Sequence, residues 1–333
     1  MKFHHLHAVT AVADRGSLRA AARALGMSQP ALTHSIGELE RELGASLFER
    51  RARGMALTPV GELFVQRARV ITSESRRAQE EVAQFLGASA GDIVVCLSVV
   101  AHLALLPMAL PLFQQRYPQA RLRILEGAFP AMASRVRDGS IDFYIGPTPE
   151  PALAREFVVE QLFDNTRAIF ARKGHPLANA RSLKDLMGAQ WMTTGITERA
   201  EAEFEEFFAS HGLPVPQIAV QGESMLSMLM TLMSTDMLTI TLRQFDEFPL
   251  TRSALQIIDT RETMSAPPIA IVRRAALPLT PAADYLCDMF RRAAVAYAGA
   301  MPKAPAAKAA KPRARRAATP TPGQALSARR SHR

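Results

Sequence analysis

Two glycines, each followed closely by a serine, divide the N-terminal segment of the chain into short helices. Gly16 ends a first segment of helical apolar spacing, and Ser17 is a favourable N-cap for a second helix over residues 18–25. Gly26 provides a tight turn, because a positive φ costs little only for glycine. Ser28 then caps a third helix. This order, with a short turn between the second and third helices, predicts a helix-turn-helix.

The third helix combines an apolar stripe with small or polar residues near its N-terminal end. The stripe, at the i, i+4, i+7 and i+11 spacing of an amphipathic helix, consists of Leu32, Ile36, Leu39 and Leu43. The exposed end is formed by Gln29, Pro30, Thr33 and His34. Recognition helices contact DNA base edges with this end. A small helical hairpin with a merely solvated face has the same spacing and stays an alternative.

A cluster of arginines follows the third helix. Arg50, Arg51 and Arg53, directly before Gly54, predict a β-hairpin, or wing, beside it. Guanidinium groups are always charged and bind phosphate oxygens in bidentate fashion. An isolated arginine run is usually a solvated loop, but the position after a helix-turn-helix favours phosphate contacts.

Residues 59 to about 87 read as one long linker helix with a weak heptad seam. The seam positions are Phe64, Ala68, Ile71, Ser75, Ala78, Val82 and Phe85. Since a seam without a partner exposes apolar surface, we expect a homodimer through this helix. A homotetramer is also expected, but the seam does not decide between dimer and tetramer. Packing of the helix on its own C-terminal domain is the alternative.

From about residue 91 to 300, short apolar runs alternate with amphipathic patterns, which predicts an α/β domain. The predicted strands cover residues 93–97, 122–125, 143–145, 168–171, 191–193, 218–220, 237–241 and 269–272. Their rhythm indicates two lobes, with the chain crossing between them near residues 161–165 and returning near 265–268. The methionine run, predicted as core or interface, comprises Met225, Met228, Met230, Met233 and Met237.

The net charge of +9 comes from the C-terminal tail. Residues 302–333 contain nine of the 40 basic residues and none of the 31 acidic ones, so the remaining body is neutral. The tail, over residues 301–333, has almost no large apolar residue and is predicted to be disordered. It is interpreted either as a solubilising extension or as extra attraction to nucleic acid.

Several classes of function are disfavoured by the sequence. No nucleophile–base set, metal-ligand spacing or phosphate loop is found, so we expect no enzyme, no cofactor and no metal. Cys96 and Cys287 are expected to be buried, reduced thiols. No apolar stretch predicts a membrane span or a signal peptide, so a cytoplasmic protein is expected rather than a secreted solute-binding protein. An architectural DNA protein would not need a two-lobed domain.

The N-terminal sequence closely resembles the DNA-binding domain of LysR-type transcriptional regulators. The stretches that carry the likeness are residues 16–22, 28–32, 39–40, 47–50 and 57–58, with Gly61. The later part resembles the LysR sensor in residues 105–107, Phe113, 117–118, 139–142 and 174–177. The family often has Ser-Arg where this chain has Thr33-His34, which leaves base preference open.

The resemblance implies an α/β protein with four parts: a winged helix-turn-helix (1–58), a dimerisation linker helix (59–88), a two-lobed, periplasmic-binding-protein-like effector domain (91–300) and the basic tail (301–333). It implies double-stranded DNA and a small organic, anionic effector as partners. The DNA contacts would come from Gln29, Pro30 and Thr33, with His34, and from Arg50, Arg51 and Arg53.

We expect the effector between the lobes, at strand ends and helix N-termini, where free amides and the helix dipole favour an anion. The candidate contacts are Ser98, Val99, Phe129, Thr194 and Ser224. Ser98 and Ser224 are equally good as helix caps, and Phe129 as a core residue. The chain also weakly resembles a subgroup of the family that regulates the use of aromatic sulfonates or sugars.

Overall fold

A computed structural model describes residues 1–52, 54–194, 200–262, 264–275 and 278–300. Arg53 and the basic tail, residues 301–333, lie outside this range. Residues 1–299 form one compact unit. Within the described residues, no helix has both the length and the apolar character needed to cross a membrane.

The N-terminal head is the predicted winged helix-turn-helix. Its elements are α1 (Phe3–Arg15), α2 (Leu18–Ala24), α3 (Gln29–Leu43), β1 (Phe48–Arg51) and β2 (Gly54–Leu57). Gly16 and Gly26 have φ values of 62° and 64°, so both turns need the left-handed conformation that glycine adopts at little cost. Ser28 caps α3 through its hydroxyl, which accepts from the amide of Ala31 at 3.3 Å. Ser17 occupies the N-cap of α2, but its side chain makes no capping hydrogen bond.

The long helix α4 (Pro59–Phe85) uses different faces for different contacts. Its first turns complete the core of the head, because Val65 and Ala68 are buried against α1. A second face further along lies on the C-terminal domain through Ser73 and Arg77, as the alternative interpretation expected. A third face keeps exposed apolar side chains, namely Val60, Leu63, Ile71, Val82 and Phe85. The early seam positions Phe64 and Ala68 therefore pack within their own chain.

The C-terminal domain contains a mixed seven-stranded sheet and a separate parallel pair. In chain order its first elements are β3 (Ala90–Leu97), α5 (Val99–Ala104), α6 (Leu106–Arg116), β4 (Gln119–Glu126), α7 (Phe129–Arg137), β5 (Phe143–Pro147), α8 (Pro151–Ala154) and β6 (Phe157–Arg172). The remaining ones are β7 (Trp191–Thr194), α9 (Ala200–Ser210), β8 (Ile218–Gly222), α10 (Met225–Ser234), β9 (Thr239–Leu242), α11 (Pro249–Arg252), β10 (Leu255–Ile258), β11 (Met264–Arg274) and α12 (Pro281–Ala300).

The two long strands β6 and β11 join the lobes. They pair antiparallel, and their register shifts between Ala266 and Ile269, at the predicted crossing. The sheet order is β10-β6-β11-β5-β3-β4, with β9 paired to the lobe-two end of β6, and β7 pairs with β8. Lobe one comprises β3–β5, α5–α7, α12 and the adjoining ends of β6 and β11. Lobe two comprises β7–β10, α9, α10 and the opposite ends of those strands. Each lobe has buried apolar clusters of its own.

Candidate nucleic-acid interface and ligand cleft

The N-terminal end of α3 presents four exposed side chains, from Gln29, Pro30, Thr33 and His34. The cap at Ser28 starts the helix one residue before this group, and the buried Leu32 and Ile36 hold the opposite face in the head core. The Thr33 hydroxyl donates to the carbonyl of Gln29 at 2.9 Å, so its remaining lone pairs face solvent. The arrangement leaves this end free to approach a partner surface.

The wing places Arg50 and Arg51 on the exposed strand β1. Arg51 donates to the Glu49 carboxylate from Nε at 2.8 Å and from Nη2 at 2.5 Å, which offsets its charge. For Arg50, neither an ion pair nor a hydrogen bond of the side chain is found within the described part of the chain. Within the described residues the charge of Arg50 is therefore uncompensated, whereas that of Arg51 is paired with Glu49. The third predicted wing arginine, Arg53, lies outside the described residues.

A histidine pair near the N-terminus faces α3. His4, His5 and Glu38 bring one ligand atom each within 4.8 Å of one another. Nδ1 of the buried His5 accepts from the Lys2 amide at 3.3 Å, which favours the neutral tautomer with its proton on Nε2. That Nε2 lies 3.5 Å from a Glu38 carboxylate oxygen. At this distance His5 Nε2 has no hydrogen-bond partner among the described residues, and we assign no metal here.

A cavity of about 470 Å³ lies between the lobes, where the prediction put the ligand. Lobe one bounds it with the N-termini of α5 and α7 and the carboxyl end of β5, and lobe two with β7, β9, α9 and the N-terminus of α10. The crossing strands β6 and β11 contribute Arg167 and Met264. Its apolar lining includes Val99, Val100, Met192, Phe204, Met225, Ile240, Leu242 and Met264. Its polar lining includes Ser98, Glu126, Tyr144, Arg167, Thr193, Glu203, Glu223 and Thr241. A ligand here would meet both an apolar wall and hydrogen-bonding groups.

The five predicted contact residues fall in different places. Ser98 and Val99 line the cavity, and the Ser98 hydroxyl also caps α5 by accepting from Ala101 at 3.4 Å. Phe129 is instead a core residue, 2% exposed and packed against Tyr144 and Phe157.

Ser224 is a helix cap rather than part of the described lining. Its Oγ accepts from the Ser227 amide at 3.1 Å, whereas its neighbours Glu223 and Met225 line the cavity. The backbone of Thr194 ends β7, and its side chain lies outside the description.

Sequence reasoning missed the charged part of the cavity. Nη1 of Arg167, on β6, lies 2.6 Å from Oε2 of Glu203, on α9. Glu126 and Glu223 add two exposed carboxylates, so the described lining has more acidic than basic groups. Thr193, 6% exposed, has a hydroxyl with no hydrogen-bond partner among the described residues. An arginine within the apolar run of β6 was the one available signal.

The methionine run is split between interior and surface. Met228 is buried and Met225 lines the cavity, whereas Met230 and Met233 are 50% and 46% exposed. With Leu226, they form an apolar outer face on α10. The run is thus core on one side and a free apolar surface on the other.

Comparison with known proteins agrees with this architecture. Residues 3–62 match the model of the bacterial regulatory helix-turn-helix protein, lysR family, and residues 87–295 match the LysR substrate binding domain. The transcriptional regulator GbpR of Azospirillum brasilense is 27% identical over 286 residues, which cover 85% of this chain and 84% of that protein.

Two solved structures have the same fold over nearly their whole length. A full-length OxyR variant of Pseudomonas aeruginosa superposes with a TM-score of 0.65 at 22% identity, covering 87% of this chain and 95% of that one. CbnR in complex with its target DNA superposes with a TM-score of 0.61 at 21% identity, covering 88% of this chain and 100% of the CbnR chain. At these identities the likeness concerns the fold.

Proposed function

The chain belongs to the LysR family of bacterial DNA-binding transcriptional regulators, which are not enzymes, and we propose that its α3 enters the major groove while its wing contacts phosphates. The observation that carries this proposal is the exposed group Gln29, Pro30, Thr33 and His34 at the start of a capped helix. The opposite face of that helix is buried in the head core. Gln29 can bind a base edge through its amide. Arg50 and Arg51, with Arg53, would fix the head on the backbone.

The family also has an effector-binding domain, and the cavity between the lobes is our proposed effector site. The N-termini of α7 and α10 favour an anionic group. The carboxylates of Glu126, Glu203 and Glu223 favour hydroxyl or ammonium donors. We therefore propose a small organic anion that also carries such donors, held by Ser98, Val99 and Thr193 and, from α9 and β6, by Glu203 and Arg167.

Assembly follows from two apolar surfaces that the protomer leaves uncovered. The exposed stripe of α4 supports a homodimer through the linker helix. The outer face of α10, with Leu226, Met230 and Met233, offers a second contact, which supports a homotetramer. A regulator of this kind works on chromosomal DNA, so we propose a cytoplasmic location.

Fluorescence anisotropy tests the DNA-binding proposal, with duplexes selected by the protein from a random pool. Arg50→Ala should reduce the slope of log K against log salt by about 0.9, the value for one phosphate contact. Gln29→Ala should lower affinity for the selected duplex and leave the slope unchanged. The control is Arg155→Ala, which removes an exposed arginine of the C-terminal domain. Failure of the folded protein to bind any duplex at low ionic strength would reject the proposal.

The effector site is tested by thermal shift with organic anions in matched pairs, one member carrying hydroxyl or amino groups and one lacking them. A ligand that binds only the native state raises Tm. The increase in Tm should occur only with the anion of each pair that carries hydroxyl or amino groups. It should be smaller in the variants Thr193→Val and Arg167→Met. Glu156→Gln, outside the cavity, is the control. A hit that stabilises all variants equally would bind elsewhere.

A further inference from the structure

The linker helix is bound to lobe one through two buried side chains. Ser73 Oγ donates to the carbonyl oxygen of Gly139 at 2.9 Å, and Arg77 Nη2 lies 2.8 Å from Oδ1 of Asp142. Arg77 is 4% and Asp142 3% exposed. The residues on the lobe-one side belong to the short segment 139–142, between α7 and β5. We call this group, Ser73, Arg77, Gly139 and Asp142, the clamp.

Burial makes the clamp dependent on its own pairing. It raises the pKa of the Asp142 carboxyl and lowers that of the Arg77 guanidinium, since each charge has lost its water. The second oxygen of Asp142 accepts from the Val94 amide of β3 at 2.8 Å. Removal of either partner would leave the other charge buried and unpaired, which is far more costly than loss of a surface pair.

Further contacts surround the clamp along α4. Glu74 forms an ion pair with Arg274 at the end of β11. Arg76 Nη1 donates to the carbonyl of Asp92 at 2.8 Å. Further along the helix, Gln84 Oε1 accepts from the Ala282 amide at 2.9 Å. Every described contact in this set joins α4 to lobe one. The carboxyl-terminal half of α4 is therefore held against that lobe.

The same strands that meet the clamp also reach the cavity. β3 contains Val94, at the clamp, and is followed directly by Ser98 in the lining. β5 starts directly after Asp142 and ends at Pro147 in the lining. β11 begins at Met264, in the lining, and ends at Arg274. These three strands are neighbours in the sheet. A continuous hydrogen-bonded body thus connects the cavity wall of lobe one with α4.

We propose that Arg77 is a positioning residue which fixes the direction of α4, and so of the DNA-binding head, to lobe one. When an effector closes the cavity, lobe two moves against a single body formed by lobe one and α4. The clamp converts this relative motion into a change in where the heads lie in the assembled protein. This inference rests on the proposed function for the roles of head and cavity, whereas the rigid connection itself can be measured without DNA or effector.

The test measures the distance between head and lobe one by double electron–electron resonance. Spin labels are placed at Arg19→Cys and Gln115→Cys, both exposed positions, and labelled protein is diluted with unlabelled protein so that only distances within one chain count. Arg77→Met keeps the apolar stem and removes the charge. We expect the width of its distance distribution to be about twice that of the parent protein, since loss of a buried pair frees the joint.

Arg137→Met is the matched control, because it removes an exposed arginine of the same lobe that pairs with Glu156 at 2.7 Å. It should leave the width unchanged. Ser73→Ala, a milder change, should broaden the distribution in the same direction and serves if Arg77→Met does not fold.

The inference would be overturned if folded Arg77→Met had a distance distribution as narrow as that of the parent protein. If only Ser73→Ala folds, the same result in that variant would overturn it. Anisotropy with a selected duplex separates this result from the proposed function. A protein that fails to bind DNA but shows the broadening refutes the proposed function and keeps the clamp. If the protein binds DNA but Arg77→Met leaves the width of the distance distribution unchanged, the clamp is refuted and the proposed function is kept.

Discussion

Oε1 of Glu40 lies 2.7 Å from the amide nitrogen of Leu47 and accepts its hydrogen bond. The same oxygen accepts from Phe48 at 3.2 Å. One side chain of α3 thereby satisfies two backbone amides at the start of the wing. The recognition helix and the wing are held in a fixed relation by this carboxylate, which the apolar stripe of α3 did not predict.

Glu40→Ala should therefore destabilise the head. A hydrogen bond to a charged group contributes about 1.5–3 kcal/mol, and here two amides would lose their acceptor. The measurement is the thermal transition of the head followed by calorimetry, with DNA affinity as a second readout. Glu42→Ala is the control, because the Glu42 carboxylate is exposed and pairs with the N-terminal amine. Equal effects of the two variants would contradict the assigned role.

Gly61 marks a close approach between α4 and the wing. A Cβ at this position would lie 2.0 Å from the carbonyl oxygen of Leu47, and backbone atoms cannot move away cheaply. Gly61→Ala should cost about 1–3 kcal/mol, as overpacking does. Gly37→Ala, in α3 with open space around the new Cβ, should be neutral or stabilise by up to about 1 kcal/mol. Chemical unfolding of both variants gives the comparison, and stability unchanged in both would exclude the steric argument.

The head was predictable because its signals are local. The turns at Gly16 and Gly26 and the cap at Ser28 are each set by one residue and its neighbours. In the C-terminal domain, the spacing of Leu103, Leu106, Leu110 and Phe113 is that of a single helix. The structure instead divides this segment at Leu105 into α5 and α6, with Pro107 in the first turn of α6. A proline in this position is compatible with a helix start, so the pattern alone did not show the break.

For the C-terminal domain, the sequence predicted the alternation of strands and helices but not the lengths of the strands. β6 spans 16 residues, of which only 168–171 were predicted. In its first half the apolar residues are interrupted by polar ones such as Glu160 and Gln161, so no continuous apolar run marks the strand. β10 was missed. The charges of the cavity depend on long-range pairing, as between Arg167 and Glu203, and no local pattern encodes such a pair. Local rules therefore found the strand ends near the cavity but not the groups opposite them.

The two cysteines should be unreactive in the native protein. Burial raises the pKa of Cys96 to about 11 and that of Cys287 to about 12, since neither thiolate would be solvated. The reactive thiolate should therefore accumulate only in strong alkali. A chromogenic aromatic disulfide releases one coloured thiolate for each cysteine that reacts. At pH 8 we expect almost no coloured thiolate before denaturant is added, and two equivalents per chain afterwards. Rapid reaction of the native protein would show an exposed thiol and contradict the packing.

The exposed apolar stripe of α4 should carry the dimer. Ile71 is 43% and Val82 61% exposed, on the face of α4 that carries the exposed apolar side chains. The double change Ile71→Lys with Val82→Lys places charges in that contact, where they lose hydration without a partner. It should halve the mass of the assembly, from the proposed homotetramer to dimers joined through α10. Light scattering after gel filtration measures the mass. Gln66→Lys with Gln79→Lys adds the same charge at exposed positions off the stripe and should leave the mass unchanged. The parental mass in both variants would contradict the role of the stripe and assign association to other surfaces, such as the outer face of α10.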